Sequence, residues 1–325
     1  MAFNVGVIGC GRWGARHITT LFELKKQGIV NKIYACDINP SRLENLANAL
    51  DGVFSDWSEM THSTELDLVS VVTPNATHAQ IGIALLERGF HVLVEKPLGR
   101  SLNEVEQLCE AAQKHPGNLS SGYLLRHHPG ILSAKKIIQS QGIGRVKSIR
   151  YTKYTSRKKP SNANVIENLA SHAFSTIPLL LDTSDTPLIT VATTLENNKP
   201  AHLDTADVAK FHMTYPGHGA LQNLDVAIHV GWNHEDCSQL TIEGTRENLR
   251  IDFATHDSIE QGHIHSGYRR IATENQTPPL EQQYLQILSN VSSSQAPISF
   301  HRQTATLLAK ATLLAKQWSE ENRVN

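Results

Sequence analysis

The sequence lacks several features that would assign it at once to a class of proteins. It has no run of 18 apolar residues and no cationic leader before an apolar core, so we expect a cytoplasmic chain without a membrane partner. Charged residues make up only 19% and the formal net charge is −1, so no overall field favours nucleic acid or an anionic membrane. Its four scattered cysteines include no CxxC pair, which favours reduced thiols over disulfides.

The 17 histidines do not predict a metal site, although they are numerous. The closest pairs are His127-His128 and His263 with His265, and neither has a cysteine or carboxylate nearby at ligand spacing. We therefore expect hydrogen-bonded or solvated histidines and no bound metal.

What the sequence does contain is a change of pattern near Gly122. Before it, short apolar runs alternate with helical patterns, with strands at Val5–Ile8, Lys32–Cys36, Leu66–Thr73, His91–Glu95 and Leu119–Tyr123 and helices near 14–27, 40–50, 77–88 and 101–114. This alternation predicts βαβ units and a doubly wound parallel sheet over residues 1–121. After it, helices are predicted near 129–140, 166–181, 280–292 and 301–320, and strands at Val146–Tyr154, Ile189–Leu195, Val208–Tyr215, Gly219–Val230, Leu240–Glu243 and Leu249–Phe253. Residues 122–325 therefore predict an α+β domain with a mostly antiparallel open sheet.

The first motif is GVIGCGRWGARHI, in which Gly9, Gly11 and Gly14 follow a strand and open a helix. In a dinucleotide-binding fold these glycines make the tight turn, admit the pyrophosphate to the backbone and allow close helix packing. A second predicted strand ends at Asp37, 23 residues beyond Gly14, where a carboxylate would hold the ribose hydroxyls. The motif thus predicts a Rossmann domain that binds NAD, while Arg42 nearby keeps NADP open as an alternative.

Two further polar triplets follow predicted strands. Thr73-Pro74-Asn75 ends one strand and Glu95-Lys96-Pro97 ends the next, so both should face the crevice beyond the carboxyl ends of a parallel sheet. Lys96 lies two residues beyond Val94, the end of the apolar run Val92–Val94, and we expect partial desolvation to lower its pKa. Such a lysine could transfer a proton at neutral pH.

With these motifs the sequence resembles the glucose–fructose oxidoreductase / inositol dehydrogenase (Gfo/Idh/MocA) family over nearly its whole length. The GRWGARH variant and the stretch VIENLASH are most similar to members that oxidise nucleotide-sugars at a secondary hydroxyl. The resemblance implies that Arg12 and Trp13 present backbone amides to the phosphates. It also implies that the nicotinamide side is lined by the segment with Thr73, Pro74, Asn75 and His78. Glu95 and Lys96 match the family's cofactor-binding EKP pair, in which the lysine contacts the reacting hydroxyl.

In the second domain the resemblance implies that His172 is a catalytic histidine and that Arg126, in LLRHHP, lines the substrate pocket. The chain departs from the family pattern at Asn168, where an aspartate is usual. On a regular helix Asn168 and His172 lie one turn apart on one face, so both could still contact one ligand. An amide can orient a hydroxyl but cannot stabilise a neighbouring imidazolium by charge.

The resemblance therefore implies an NAD(P)-dependent oxidoreductase that exchanges a hydride with a sugar, polyol or nucleotide-sugar. Lys96 and His172 are the expected proton-transfer residues. Two alternatives stay open: an NAD-dependent glycoside hydrolase of the same family, and a non-catalytic sensor, which Asn168 favours. The resemblance also implies a homodimer or homotetramer.

Overall fold

The computed structural model describes residues 2–44, 46–161, 163–215, 221, 223–291 and 298–322. It divides into two compact units. The first unit comprises Met1–Leu124 and Pro279–Arg302, and the second comprises Leu125–Pro278 and Gln303–Asn325.

The first unit contains a parallel sheet, as the alternating pattern predicted, with six strands rather than the five expected. The strands are β1 (Phe3–Ile8), β2 (Val30–Cys36), β3 (Gly52–Phe54), β4 (Leu68–Val71), β5 (His91–Val94) and β6 (Leu119–Ser121), in the order β3-β2-β1-β4-β5-β6. Its helices are α1 (Arg12–Lys26), α2 (Trp57–Ser63), α3 (His78–Glu87) and α4 (Leu102–Lys114). Strand order reverses at β1, so the crevice of this doubly wound sheet opens beyond its carboxyl end.

The helix predicted near 40–50 is wrong. Asn39 does accept a hydrogen bond from the Ser41 amide, but the 3₁₀ turn that it caps covers only Pro40–Arg42. The apolar residues whose spacing predicted a helix lie in a series of turns instead, and from these turns Leu43 and Leu46 pack against the sheet core. Strand β3 and helix α2 follow and were not predicted.

Helix α7 (Pro279–Ser289) belongs to the first unit, although the sequence analysis assigned all of residues 122–325 to the second domain. Its buried residues Leu280, Tyr284 and Leu288 join the core that surrounds α1 and β1. The chain therefore returns to the first sheet late in the sequence, because these apolar side chains complete its core.

The second unit contains a sheet of nine strands in the order β15-β14-β13-β12-β7-β11-β10-β8-β9. The strands are β7 (Val146–Thr155), β8 (Leu188–Glu196), β9 (Lys199–Pro200), β10 (Val208–Tyr215), β11 (Leu224–Trp232), β12 (Cys237–Gly244), β13 (Asn248–Asp252), β14 (Ser258–His263) and β15 (Gly267–Ala272). Only β7 and β11 pair in parallel, which confirms the mostly antiparallel sheet. The predicted run at 219–230 extended into residues outside the described part, and β11 begins at Leu224.

One face of this sheet holds the core of the second unit. Along β11 the residues Leu224, Val226, Ile228 and Val230 are buried, while Asp225 between the first two is exposed. The core also takes residues from helices α5 (Pro129–Gln139), α6 (Ser171–Leu181) and α8 (Ser299–Glu321). This period-two alternation is what a sheet covered on one face requires.

His128 at the start of α5 is a buried histidine that the fold keeps neutral. Its Nδ1 accepts a hydrogen bond from the Gly130 amide at 3.1 Å, and its Nε2 lies 3.2 Å from Nδ1 of His256. Burial, and then repulsion from His256, lower the pKa of His128 from 6.5 to about 4. Between pH 6.5 and about 4 the unfolded chain therefore binds a proton at His128 that the folded chain does not bind.

We expect the second unit to lose stability as the pH falls from 6.5 toward about 4, since unfolded His128 then binds the proton that the folded ring excludes. The full effect is about 3 kcal/mol. The variant His128→Asn keeps a side-chain acceptor at the helix start and removes this titration. Urea unfolding at several pH values should show a flatter dependence in the variant, and identical slopes would contradict the assignment.

Candidate active site

Strands β2, β1, β4 and β5 are neighbours in the first sheet, and the segments that follow them leave the sheet at the same edge. The register pairs Ile8 with both Cys36 and Val71, and Val71 with Val94. The glycine run, Asp37, Thr73 and Lys96 come within a few residues of these strand ends. The structure thus brings the predicted first-domain site residues to one edge of the sheet.

Gly9 and Gly14 are required by the backbone itself. Gly9 has φ +96°, and a Cβ there would lie 2.6 Å from the carbonyl oxygen of Val72. A Cβ on Gly14 would lie 1.9 Å from the carbonyl oxygen of Gly9, so any side chain would push α1 off the turn. These two glycines perform the tight turn and the close helix packing that the motif predicted.

Gly11 is different, because the fold of the described chain does not require it. Its φ is −68°, which any residue adopts, and a Cβ there would meet no described atom within 4 Å. Gly11 is the N-cap of α1, whose first turn contains no acidic residue. The open space beside helix amides that lack intrahelical acceptors is suited to a pyrophosphate.

Arg12 and Trp13 form the start of α1 beside this space. Arg12 is exposed, and Trp13 is half-buried with the Arg16 guanidinium carbon 4.9 Å from its ring centroid. Their side chains border the glycine turn, while their amides belong to the first helical turn. The prediction that they present amides to phosphates is compatible with this placement.

Asp37 is buried at the end of β2 and ionised. Burial opposes its charge, but hydrogen bonds from the amides of Asn39 (2.8 Å) and Cys10 (2.7 Å), together with Arg42, hold the pKa of this carboxyl below its ordinary value. Arg42 is half-exposed and its Nη1 lies 3.2 Å from Oδ2 of Asp37. The second contact of Oδ1, from Arg42 Nη1, is long at 3.5 Å, so a ribose hydroxyl could replace it on this oxygen.

The segment after β4 contains both exposed and buried predicted residues. Pro74 and Asn75 are exposed and Thr73 is half-buried, so these can border a ligand. His78 is buried, and its two ring nitrogens lie 2.7 Å from the Pro97 carbonyl oxygen and 2.8 Å from that of Thr73. His78 therefore joins two segments of the site through their backbones.

Glu95 and Lys96 follow β5 and are both half-buried. Oε2 of Glu95 accepts from the Lys96 amide at 2.9 Å, and Oε1 lies 3.2 Å from Nε2 of His17. A Cβ on Gly122 would lie 2.6 Å from the Glu95 carboxyl, so glycine there makes room for this carboxylate. The Glu95 side chain is thus committed to the protein and fixes the backbone at Lys96.

Sequence reasoning did not find His17, Ser70 and Tyr284, which are fully buried behind Glu95. The Tyr284 hydroxyl lies 2.7 Å from Nδ1 of His17 and 2.8 Å from Oγ of Ser70. The sequence signal that could have revealed this cluster is His17 itself, a histidine among the apolar residues of the buried face of α1.

In the second unit, the predicted residues Asn168 and His172 span a change of helix type. Ile166–Ala170 form a π-helical turn that precedes α6, so the expectation of a regular helix here is wrong. π-helical hydrogen bonds join residues five apart rather than four, so the spacing of one regular turn does not describe this pair. Asn168 is exposed and its side-chain amide donates to the Asn164 carbonyl at 3.0 Å, while His172 is half-buried.

Arg126 lies in the second unit within a 3₁₀ turn, Leu124–His127. Its Nη1 donates to the backbone carbonyl of Ser175 on α6 at 2.6 Å. This bond ties the segment before α5 to α6, the helix that contains His172.

Metal-ligating side chains do not cluster in the part of the chain that the structure describes. No three His, Cys, Asp or Glu side chains there could hold one ion. None of the described helices is both long and apolar enough to cross a membrane.

Comparison with known proteins agrees with this geometry. Residues 3–123 match the family described as "Oxidoreductase family, NAD-binding Rossmann fold". The chain is 25% identical over 266 residues to the uncharacterized oxidoreductase YrbE of Bacillus subtilis, covering 78% of this chain and 75% of that protein. It is 31% identical over 157 residues to levoglucosan dehydrogenase of Pseudarthrobacter phenanthrenivorans, covering 46% of this chain but only 40% of that protein.

A solved structure of levoglucosan dehydrogenase in complex with NADH and levoglucosan shares the fold. It has a TM-score of 0.81 at 17% identity and covers 98% of both chains. The glycine turn, the acid after the second strand and the matched segment all lie in the first unit. Residues 3–123 thus match the model of the Gfo/Idh/MocA family of oxidoreductases, which describes an NAD-binding Rossmann fold.

Proposed function

We propose that the protein is an NAD-dependent dehydrogenase that oxidises a secondary hydroxyl of a sugar, polyol or nucleotide-sugar. The observation that carries this proposal is the placement of half-buried Lys96 at the same sheet edge as the glycine turn and Asp37. A relative named for its action on levoglucosan supports a sugar as the substrate class. The open space at Gly11 and the acceptor on Asp37 fit NAD.

In this proposal NAD, when bound, supplies the hydride acceptor. The amides that follow Gly11 hold its pyrophosphate and Asp37 holds its adenosine ribose. The substrate carbon loses a hydride with its electron pair, the hydroxyl oxygen loses a proton, and a carbonyl forms. Lys96 contacts the reacting hydroxyl and takes that proton, with His172 as the second proton-transfer residue. Asn168 and Arg126 are proposed to hydrogen-bond the substrate.

Asp37 is proposed to select NAD over NADP, because a buried carboxylate repels a 2′-phosphate. We expect Asp37→Ala to weaken NAD binding and to relax discrimination against NADP, and Arg42→Ala to leave the preference for NAD in place. Titrations of the three proteins with both cofactors measure this directly. A natural protein that binds NADP more tightly would contradict the role of Asp37.

A ligand screen tests the proposed function and separates its alternatives. A ligand that binds only the folded state raises the melting temperature, so NAD with sugars, polyols and nucleotide-sugars should identify the substrate class. Net formation of NADH with a stabilising sugar supports a dehydrogenase. Glycoside cleavage without net reduction would indicate a hydrolase instead, and binding without any turnover would indicate a sensor.

We further propose a cytoplasmic homodimer or homotetramer that acts on small molecules. Four free cysteines support a reducing compartment. The exposed apolar side chains Leu188 and Val191 on β8 support association through the open face of the nine-stranded sheet. Sedimentation equilibrium measures the state of assembly.

A further inference from the structure

Two buried histidines contact the Glu95–Lys96–Pro97 segment, one on each side of Lys96. His17 is fully buried and contacts the Glu95 side chain, whereas His78 is 2% exposed and contacts the Pro97 carbonyl. Neither contact involves the Lys96 amine itself. Both act on the residues that precede and follow it.

The chemistry of the groups around His17 fixes the direction of its hydrogen bonds. An ionised carboxylate only accepts, so Nε2 of His17 donates to Glu95, and in the neutral ring Nδ1 then accepts from the Tyr284 hydroxyl. The Tyr284 oxygen in turn accepts from Ser70. This series of hydrogen bonds runs from Ser70 on β4 to Glu95, whose second carboxylate oxygen accepts from the Lys96 amide.

His78 has a different set of partners, because both of its ring nitrogens face carbonyl oxygens. Carbonyls cannot donate, so both contacts are satisfied only when both nitrogens carry protons. A doubly protonated ring would tie the backbone after Lys96 to the backbone at Thr73. The two loops that border the site are then held in one arrangement.

We propose that His17 and His78 are positioning residues that set the location of the Lys96 amine, His17 through the Glu95 carboxylate and His78 through the Pro97 carbonyl. This inference rests on the proposed function only in assigning proton transfer to Lys96. A displacement of about 1 Å at a reacting group can cost about 100-fold in rate, so loss of either contact should lower kcat.

The experiment uses the different reach of asparagine and glutamine. An asparagine amide can replace Nδ1 of a histidine, and a glutamine amide can replace Nε2, because each polar atom lies the same number of bonds from the backbone. His17→Gln keeps the contact to Glu95, and His17→Asn keeps only the contact to Tyr284. His78→Asn keeps the contact to Pro97, and His78→Gln keeps only the contact to Thr73.

We expect a crossed pattern in kcat. His17→Asn and His78→Gln should lose about 10- to 100-fold, whereas His17→Gln and His78→Asn should each keep the larger share of turnover. NAD affinity should stay within about two-fold in the two His17 variants. The melting temperature should fall by similar amounts within each pair, since each variant loses one of two contacts.

His301→Asn is the matched control, because His301 is also buried in the first unit and its Nε2 lies 3.3 Å from the Leu119 carbonyl oxygen, a contact that an asparagine amide does not reach. It should lower the melting temperature without lowering kcat. Equal turnover within each pair, or turnover that follows the melting temperature across all five variants, would overturn the positioning role.

A second measurement keeps the test independent of the proposed function. Competitive acetylation with acetic anhydride, followed by peptide mass spectrometry, reports the reactivity of the Lys96 amine relative to exposed Lys114. His17→Asn and His78→Gln should change this ratio, whereas His17→Gln and His78→Asn should leave it unchanged. If the natural protein forms no NADH with any sugar, the proposed function is wrong, but the acetylation ratio still tests whether His17 and His78 position Lys96. An unchanged ratio in all four variants would overturn that positioning role.

Discussion

Replacement of Lys96 by methionine is expected to lower kcat by about 10²- to 10⁴-fold while NAD affinity stays nearly unchanged, since a positioned acid–base group contributes about this much. Methionine keeps most of the side-chain length and removes the amine that takes the hydroxyl proton. The half-buried position of Lys96 after β5 makes the substitution sterically mild. Steady-state kinetics with a sugar substrate and calorimetric titration with NAD measure the two quantities.

Lys114→Met is the control for this variant. Lys114 is 67% exposed at the end of α4 and pairs with Glu110 on the same helix, so its loss should leave kcat unchanged. If Lys96→Met retained near-normal turnover, Lys96 would be an ordinary surface lysine and the proton-transfer role would be wrong.

Substitution of alanine at Gly11 and at Gly14 is expected to have opposite effects on folding and on binding. Gly11→Ala adds a methyl group where no described atom lies within 4 Å, so the unfolding free energy should change by no more than about 1 kcal/mol. The same methyl group would occupy the space proposed for the pyrophosphate, so NAD affinity should fall by about 10- to 100-fold.

Gly14→Ala places its Cβ 1.9 Å from the Gly9 carbonyl oxygen, which the backbone cannot relieve locally. We expect a loss of about 3 kcal/mol or more in stability. Thermal unfolding with and without NAD measures both variants. A Gly11→Ala protein that NAD stabilises as much as it stabilises the natural protein would exclude the cofactor from the glycine turn.

The local signals in the sequence predicted the local structure well. The glycine run opens α1 where expected because Gly14 packs the helix against the Gly9 carbonyl, a steric requirement that acts within the turn itself. The alternation of strands and helices predicted the parallel sheet and five of its six strands, since each buried parallel strand is one continuous apolar run. The placement of Asp37 and Lys96 at one edge was predicted because residues that follow parallel strands share that edge.

Long-range features could not be predicted in this way. Nothing within Pro279–Ser289 shows which sheet will bury it, because Tyr284 finds its partners at His17 and Ser70. Strands β14 and β15 were missed because they contain few apolar residues. The π-helical turn before His172 was also invisible, since periodicity alone does not distinguish it from a regular helix.

Hydride transfer from a secondary carbinol carbon is the central claim, and isotope transfer tests it most directly. A stabilising sugar deuterated at the candidate carbon is incubated with the protein and NAD, and the reduced cofactor is analysed by mass spectrometry. The account predicts one deuterium in the reduced nicotinamide and one equivalent of the keto-sugar, both strongly diminished in Lys96→Met. Glycoside cleavage with no net reduced cofactor, or reduced cofactor without deuterium from any labelled position, would contradict it.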